Sequence, residues 1–464
     1  LFFSYQHINQ LIIRALFFLL SIGHLYAQKE VHNFLNFKSK FNSPDLVLNQ
    51  LHGTGYPYAS VSLDTVIEHK NVTTYNWTVQ LGNRILCDSV LFNSDLLNKK
   101  TLYRIIQISP GMVYNEREIK KITQRVNTIP GIRMNQNPQV TFFEKSFQIR
   151  IPLERVKKNK LDGIMQIQND PVQSKSIVTG NLDLELHNLL KRSESLHFLW
   201  KRPTTNSQYL LASIRLPFAL GLPLGVNTDI QAFLRDSTFA QSQLKVTMYG
   251  STSVEDGLSI FLLKTNNVRF QDEATLGNTK SLQYGLQFGR QRGNLSALIP
   301  EKGFMFQIGG NAGQRKTVAT NTNSIIYGYA CALQLHATRG NVFLQSKFLS
   351  SGTFGAAFFE NEAQRIGGMN SVRGFFEESI PAFHYALVQS NLGRRFGNSF
   401  STYITTDVGQ IFQPLSRRIG SIGIGTTILQ NNSSVALSFA WPFEKGYAFE
   451  ASNARLGVQF NTYF

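Results

Sequence analysis

Few cysteines, few charges and no long apolar run characterise this chain, and each scarcity removes a class of protein. Only Cys87 and Cys331 occur in 464 residues, in different regions, so a disulfide framework is not expected even in an exported protein. After residue 27 no segment has the roughly 18 continuous apolar residues of a membrane-crossing helix. The nine histidines are scattered, and no metal-ligand spacing, phosphate loop, nucleotide fingerprint or nucleophile elbow is present. The reading is therefore of a chain with no catalytic residues, no metal and no cofactor, which sets a lipase or similar enzyme aside. Only 16% of residues are charged, and acidic ones are the scarcer sign, 29 Asp+Glu against 46 Lys+Arg. The resulting +17 is spread through both halves without a basic-aromatic motif, so nucleic acid is not a partner. Attraction to an anionic membrane surface is the milder explanation.

What the chain does have begins at its amino end. His7 and Arg14 precede the apolar run of residues 15–20, and Leu25-Tyr26-Ala27 precedes Gln28. A charged start, a short apolar core and a small residue at the cut describe a signal peptide over residues 1–27. Its core of roughly ten apolar residues is too short to span a bilayer, which needs about 20. The protein is expected to be exported. It also carries 36 Phe and 16 Tyr. An exported, aromatic-rich chain without a spanning helix fits either a soluble secreted protein or an outer-membrane β-barrel.

Residues 28–160 mix helix and strand. In 28–83 the pattern is a helix from Pro44 to about His52 with Val47, Leu48 and Leu51 on one face, then strands over 60–67 and 74–81. In 84–160 it is a strand over 85–92, a helix over 99–108 and a second helix capped by Asn115, with Glu118 three residues on. Ile119, Ile122 and Val126 lie at helical spacing, Pro130-Gly131 stops that helix, and 140–143 with 147–153 reads as a hairpin.

From residue 161 to 464 the helical period gives way to alternation. Ile325, Tyr327, Tyr329, Cys331, Leu333 and Leu335 alternate with small or polar residues, as do Val435, Leu437, Phe439, Trp441 and Phe443. Apolar-out and small-or-polar-in is what a lipid-facing barrel strand around a wet lumen requires. A sheet in hydrocarbon must also close to satisfy its edges. The span divides into about 16 strands at roughly 19 residues per strand and connection.

Within that span, residues 365–375 read RIGGMNSVRGF. Gly367, Gly368 and Gly374 mark a loop, and Arg373 stands in it between Val372 and Gly374, before Phe375. Downstream, Asp407 and Gly409 share a strand face with Tyr403 and Thr405, opposite Ile404 and Val408. Lipid must take the Ile/Val face, because a carboxylate in hydrocarbon is costly, so Asp407 points into the lumen. A desolvated bidentate pair between Arg373 and Asp407 would be a strong clamp. At the end of the chain, Leu456, Val458, Phe460 and Phe464 share one face behind Arg455 and Gly457.

Strand, helix, helix, strand, strand over 84–160, with Ile108-Ser109-Pro110-Gly111 before the second helix, resembles a POTRA domain; 28–83 looks like a shorter, divergent copy. RIGGMNSVRGF together with Asp407-Val408-Gly409 resembles the bacterial surface antigen superfamily of BamA-, TamA- and FhaC-type proteins. Arg455, Gly457, Phe460 and Phe464 resemble the carboxy-terminal targeting signal of outer-membrane barrels. The fold implied is periplasmic α+β POTRA-like modules followed by a transmembrane antiparallel β-barrel of 16 strands at residues 161–464. In that family the loop arginine docks near the Asp-x-Gly strand, so Arg365, Gly367, Gly368, Val372, Arg373, Gly374 and Phe375 form the implied lumenal loop motif. Asp407 and Gly409 are its docking strand. Where the family often carries an aromatic two residues before that Asp, this chain has Thr405.

The resemblance implies an outer-membrane protein that inserts or translocates other polypeptides, its modules in the periplasm. Its partners would be unfolded or extended polypeptides and outer-membrane lipid, with room for periplasmic or lipoprotein accessory subunits. General insertase, TamA-like factor and dedicated two-partner secretion pore stay open, and a passive channel is the alternative of another class.

Overall fold

The structure is a computed structural model describing residues 34–464 apart from 40–43, 70–71, 94, 128, 171–174, 205–206, 220–223, 236–237, 251–255, 294, 296–301, 398, 431–432 and 445–453. The signal peptide expected at 1–27 lies outside the described residues. Chain contacts divide the molecule into two units, one of residues up to Leu91 with Ile108–Ile122 and Pro138–Ile151, the other of Phe92–Gln107, Thr123–Asn137 and Pro152–Phe464.

In the first unit the strands Phe34–Ser39, Val72–Gln80 and Ser60–His69 form one sheet in that order, beside the helix Pro44–His52. Trp77 and Val79 are its buried centre, with Leu51 and Val61 against them. The strand Phe34–Ser39 was not anticipated; its alternation spans only Leu35, Phe37 and their neighbours, too short to stand out. A second sheet orders Leu86–Phe92, Ser146–Ile151 and Gln139–Phe142. Tyr114 packs edge-on against Phe147 at 5.3 Å between ring centroids. Asn115 Oδ1 accepts the Glu118 N–H at 3.2 Å, opening the helix Glu116–Val126. Cys87 is buried, and burial, aided by Asp88, pushes its thiol up to about 11.

The expected hairpin strand over 147–153 is cut at Pro152, which has no N–H for the ladder. Leu153–Arg155 pairs instead with Ile132–Met134, a second short ribbon the periodicity did not show. The helix Lys99–Ile106 also stops two residues early, because Gln107 adopts a left-handed conformation with φ 60°. In the second unit Asn98 caps this helix. Its own N–H donates to Lys191 O at 2.9 Å, and Asn188 Nδ2 donates to Leu96 O at 2.7 Å, fixing the segment to the connection between the barrel strands Lys175–His187 and Ser195–Thr204.

Sixteen antiparallel strands, from Lys160–Asp170 to Arg455–Tyr463, each pair with the next, and the last closes on the first through Thr462 opposite Leu161 and Tyr463 opposite Lys160. Outward positions are apolar and exposed: Ile325, Tyr327 and Leu335 on one strand, Ile404 and Val408 on another, Leu456, Val458 and Phe460 on the last. Inward positions on the same strands are mostly small or polar: Gly328, Ala332, Gln334 and His336 on the first, Thr405 and Asp407 on the second, Gly457 and Gln459 on the last. That division places hydrocarbon outside and a polar lumen within, while closure pairs the backbone all round. No helix among the described residues is long and apolar enough to cross a membrane.

Candidate functional site: the lumenal loop and its clamps

Residues 355–383, between the strands Val342–Phe354 and His384–Phe396, fold back into the lumen. A single 3-10 turn, Glu360–Glu362, is followed by a ribbon of Gln364–Ile366 against Ile380–Ala382. Between the ribbon strands lies the tight turn of the glycine motif. Gly367 N–H donates to Ser371 Oγ at 2.6 Å and Gly368 N–H to Val372 O at 3.0 Å. Gly368 sits at φ 91°, and a Cβ there would overlap the Glu377 carboxylate. Gly374 sits at φ 84°, where a Cβ would come within 2.8 Å of the Pro442 nitrogen. The loop approaches the barrel wall so closely that only glycine fits.

Arg373 and Asp407 meet beneath this turn. The Arg373 backbone N–H and Nε donate to Asp407 Oδ2 at 2.8 and 2.9 Å, Nη2 donates to Oδ1, and Nη1 donates to Asn391 Oδ1 at 2.6 Å. Ser421 Oγ adds a donor to Oδ2 at 3.1 Å. Asp407 is completely buried and Arg373 is 6% exposed. A buried ion pair stabilises only when its remaining lone pairs and protons are also satisfied, and here four donors serve one carboxylate. Three consecutive strands supply the partners: Asn391 from His384–Phe396, Asp407 from Phe400–Gln413 and Ser421 from Arg417–Gln430. Val372, fully buried, packs with Ile366, Ile380, Ala382, Leu387, Ile411 and Ile419, with Phe375 against that cluster. Gly409 lies between Leu387 and Ile419, where an added Cβ would sit 3.2 Å from Ile419 Cγ1. Thr405, at the aromatic position of the family pattern, is fully buried opposite Asn391.

A second clamp, which the sequence reading did not identify, holds the other end of the loop. Arg315, on the strand Gly303–Thr317, donates from Nε to Glu362 Oε1 at 2.7 Å and from Nη2 to Oε2 at 2.6 Å. Thr279 Oγ1 donates to Oε1 at 2.9 Å, and the Phe359 backbone N–H donates to Oε2 at 2.9 Å. The guanidinium also lies 5.6 and 5.5 Å from the ring centroids of Phe358 and Phe359. Beside it Asn361, 1% exposed, accepts from Gly277 N–H at 3.1 Å and donates to Gly277 O at 2.8 Å.

Further contacts reach both ends of the strand order. Glu377 takes an ion pair from Lys201 at 3.0 Å. Arg455 stacks 3.4 Å from the Phe376 ring centroid, and Gly457 leaves room for Met369, whose Sδ lies 3.1 Å from Ser438 Oγ. Of the carboxy-terminal residues singled out in the sequence, Arg455 and Gly457 thus face the loop, whereas Phe460 and Phe464 are exposed. Arg365 joins neither clamp. Asp183, Glu185 and His197 place ligand atoms within 4.8 Å of one another, but the Asp183 carboxylate is already engaged by Lys160 and His197, each at 2.8 Å. The arrangement around the motif is a set of fixed polar anchors that hold a loop across a pore.

No protein-family model matches the chain, and no curated protein matches it in sequence. Solved structures do. BamA from Haemophilus ducreyi, lacking POTRA domains 1–3, aligns at 15% identity and TM-score 0.52, over 91% of this chain and 92% of that one. CdiB from Acinetobacter baumannii aligns at 13% identity and TM-score 0.59, over 91% and 81%. CdiB from Escherichia coli aligns at 12% identity and TM-score 0.59, over 91% and 83%. The chain has the fold of the BamA and CdiB structures, a closed sixteen-stranded β-barrel preceded by an α+β segment.

Proposed function

We propose that this is an outer-membrane protein that inserts or translocates other polypeptides without covalent chemistry, its amino-terminal segment lying in the periplasm. The observation that carries the reading is a lumenal loop anchored by a buried Arg373–Asp407 pair inside a barrel of BamA- and CdiB-like fold. A passive pore would leave the α+β segment before the barrel unexplained.

Residues 28–83 and 84–160 act in this reading as POTRA modules. Supporting it, the alignments reach 91% of the chain, whereas the barrel is about two thirds of it, so the likeness extends into the preceding segment. The strand Ser60–His69 lies at the edge of its sheet and exposes Leu63, Val66 and Ile67. An edge with free backbone groups and apolar side chains suits the addition of an extended polypeptide as a further strand. Captured substrate then passes to the barrel, through the lumen or at the junction of the first and last strands. Arg373 and Asp407 hold the loop in its working position, and outer-membrane lipid surrounds the apolar belt.

Depletion of the protein followed by outer-membrane proteomics tests the proposal. Loss of many barrel proteins identifies a general assembly role, and loss of one exported protein identifies a dedicated transporter. An unchanged proteome, with ion conductance in planar bilayers as the protein's one activity, overturns both in favour of a passive channel.

A further inference from the structure

Arg365, the arginine of the loop motif that neither clamp uses, has no carboxylate in direct contact; Glu360 and Glu378 act on it only at longer range. Its guanidinium lies 4.8 and 5.2 Å from the ring centroids of Phe233 and Phe239, on neighbouring strands of the wall. Those rings, with Leu276 and Tyr209, form a compact apolar cluster that fixes its position. Among the described residues no carboxylate lies within 4 Å of it, and its buried Nη2 has no hydrogen-bond partner. A desolvated cation with an unused donor is costly unless something else satisfies it.

The surroundings indicate what that is. Arg365 lines a lumenal cavity of about 850 Å³ between the loop and the barrel wall. A second cation, Lys245, lines the same cavity. Its Nζ lies 4.4 Å from the centroid of the Phe261 ring and 3.5 Å from Gln287 Oε1, again with no carboxylate within 4 Å among the described residues. The carboxylates on the cavity wall make their close contacts elsewhere: Glu362 binds Arg315, Glu378 lies 3.8 Å from Lys201, and Asp229 accepts from Asn227, so Glu378 and Asp229 reach Arg365 and Lys245 only at longer range. Much of the remaining lining is side-chain amide, including Gln231, Gln241, Gln243, Gln283 and Gln307. Amides offer donors and acceptors together, which suits a peptide backbone.

We propose that this cavity binds an extended, acidic segment of polypeptide, with Arg365 and Lys245 taking its carboxylates and the amides its backbone. The inference rests on the reading that the protein handles polypeptides and names a chemical preference within it. Fluorescence anisotropy on the purified full chain in detergent tests it. The probes are a labelled ten-residue Gly/Ser peptide carrying two Glu, and its counterpart with Gln in their place. The acidic peptide is expected to bind about tenfold more tightly, and the preference is expected to shrink as salt rises. Arg365→Gln and Lys245→Gln should each reduce the preference, while Arg365→Lys, which keeps the charge, should retain most of it. Heat-modifiable migration confirms that each variant keeps its barrel. Equal affinity for the two peptides, binding of neither, or a preference unchanged in both Gln variants overturns the proposal. So does displacement of the acidic peptide by inorganic phosphate at equal concentration, which would mark a general anion site. An acidic preference in a protein whose depletion leaves the proteome unchanged would keep the cavity and remove the assembly role.

Discussion

Asp407 and Glu362 are both lumenal carboxylates held by a forked arginine, yet they anchor the loop in different ways. At Asp407 the carboxylate belongs to the wall and the arginine to the loop, and the loop backbone itself donates through Arg373 N–H. At Glu362 the roles are exchanged: the loop supplies the carboxylate and the strand Gly303–Thr317 supplies Arg315. The first clamp is sealed under Val372 and draws on three consecutive strands. The second is cushioned by two phenylalanine rings that compensate part of the arginine's lost hydration. A loop fixed at one end could swing, whereas a loop fixed at two ends moves only when one clamp yields. The Glu362 clamp, with its cation–π cushion, is the one expected to yield at lower cost.

That ordering can be broken by substitution. The largest effect is expected for Asp407→Ala, which leaves Nε, Nη2 and the backbone N–H of Arg373 without an acceptor in a dry site, Nη1 alone keeping Asn391; removing one partner of a buried pair costs about 3–5 kcal/mol. The midpoint of urea unfolding in micelles reads it, and a change within error would remove the clamp's importance. Glu362→Ala is expected to cost less, about 2–3 kcal/mol, because Arg315 retains its aromatic faces. A loss equal to or above that of Asp407→Ala would reverse the comparison.

Gly374→Ala follows at about 1–3 kcal/mol, from a left-handed residue acquiring a Cβ against the Pro442 backbone. The same unfolding midpoint checks it, and a loss would tie the loop to the strand Ser433–Glu444 independently of Arg373. Smallest is Ser421→Ala at about 1 kcal/mol, since Asp407 keeps its three donors from Arg373. Combining Asp407→Ala with Glu362→Ala sharpens the picture further. Independent clamps give additive losses to within about 0.5 kcal/mol, whereas a loop that detaches as one body gives less than the sum.

How far each clamp could be read beforehand follows from where its residues lie. Arg373 stands among glycines in RIGGMNSVRGF, and Asp407 interrupts an apolar alternation that leaves it one direction to point. Both are visible as departures from a pattern. Glu362 lies in an unpatterned stretch, and Arg315 sits on a strand whose inward positions are polar anyway, so a buried arginine there looks like any lumenal residue. The same reason hid Asn391 and Ser421. In a barrel the usual equation of buried with apolar is inverted inside, and burial of a polar residue leaves no mark on the sequence. The strand Phe34–Ser39 and the break at Pro152 were missed on local grounds, one too short to show a period and the other a proline read through.

Sequence alone determined the alternation that turns large side chains outward, the absence of a spanning helix beyond the first residues, and the glycines that let one loop turn tightly. These are local properties, fixed by side-chain parity and backbone freedom. Which residues would face that loop was decided by closure. Joining the last strand to the first, and setting each register along the way, brings Lys201 to Glu377 across 176 residues and Arg455 onto Phe376. Such meetings depend on the summed geometry of sixteen strands, which no short stretch of the chain contains.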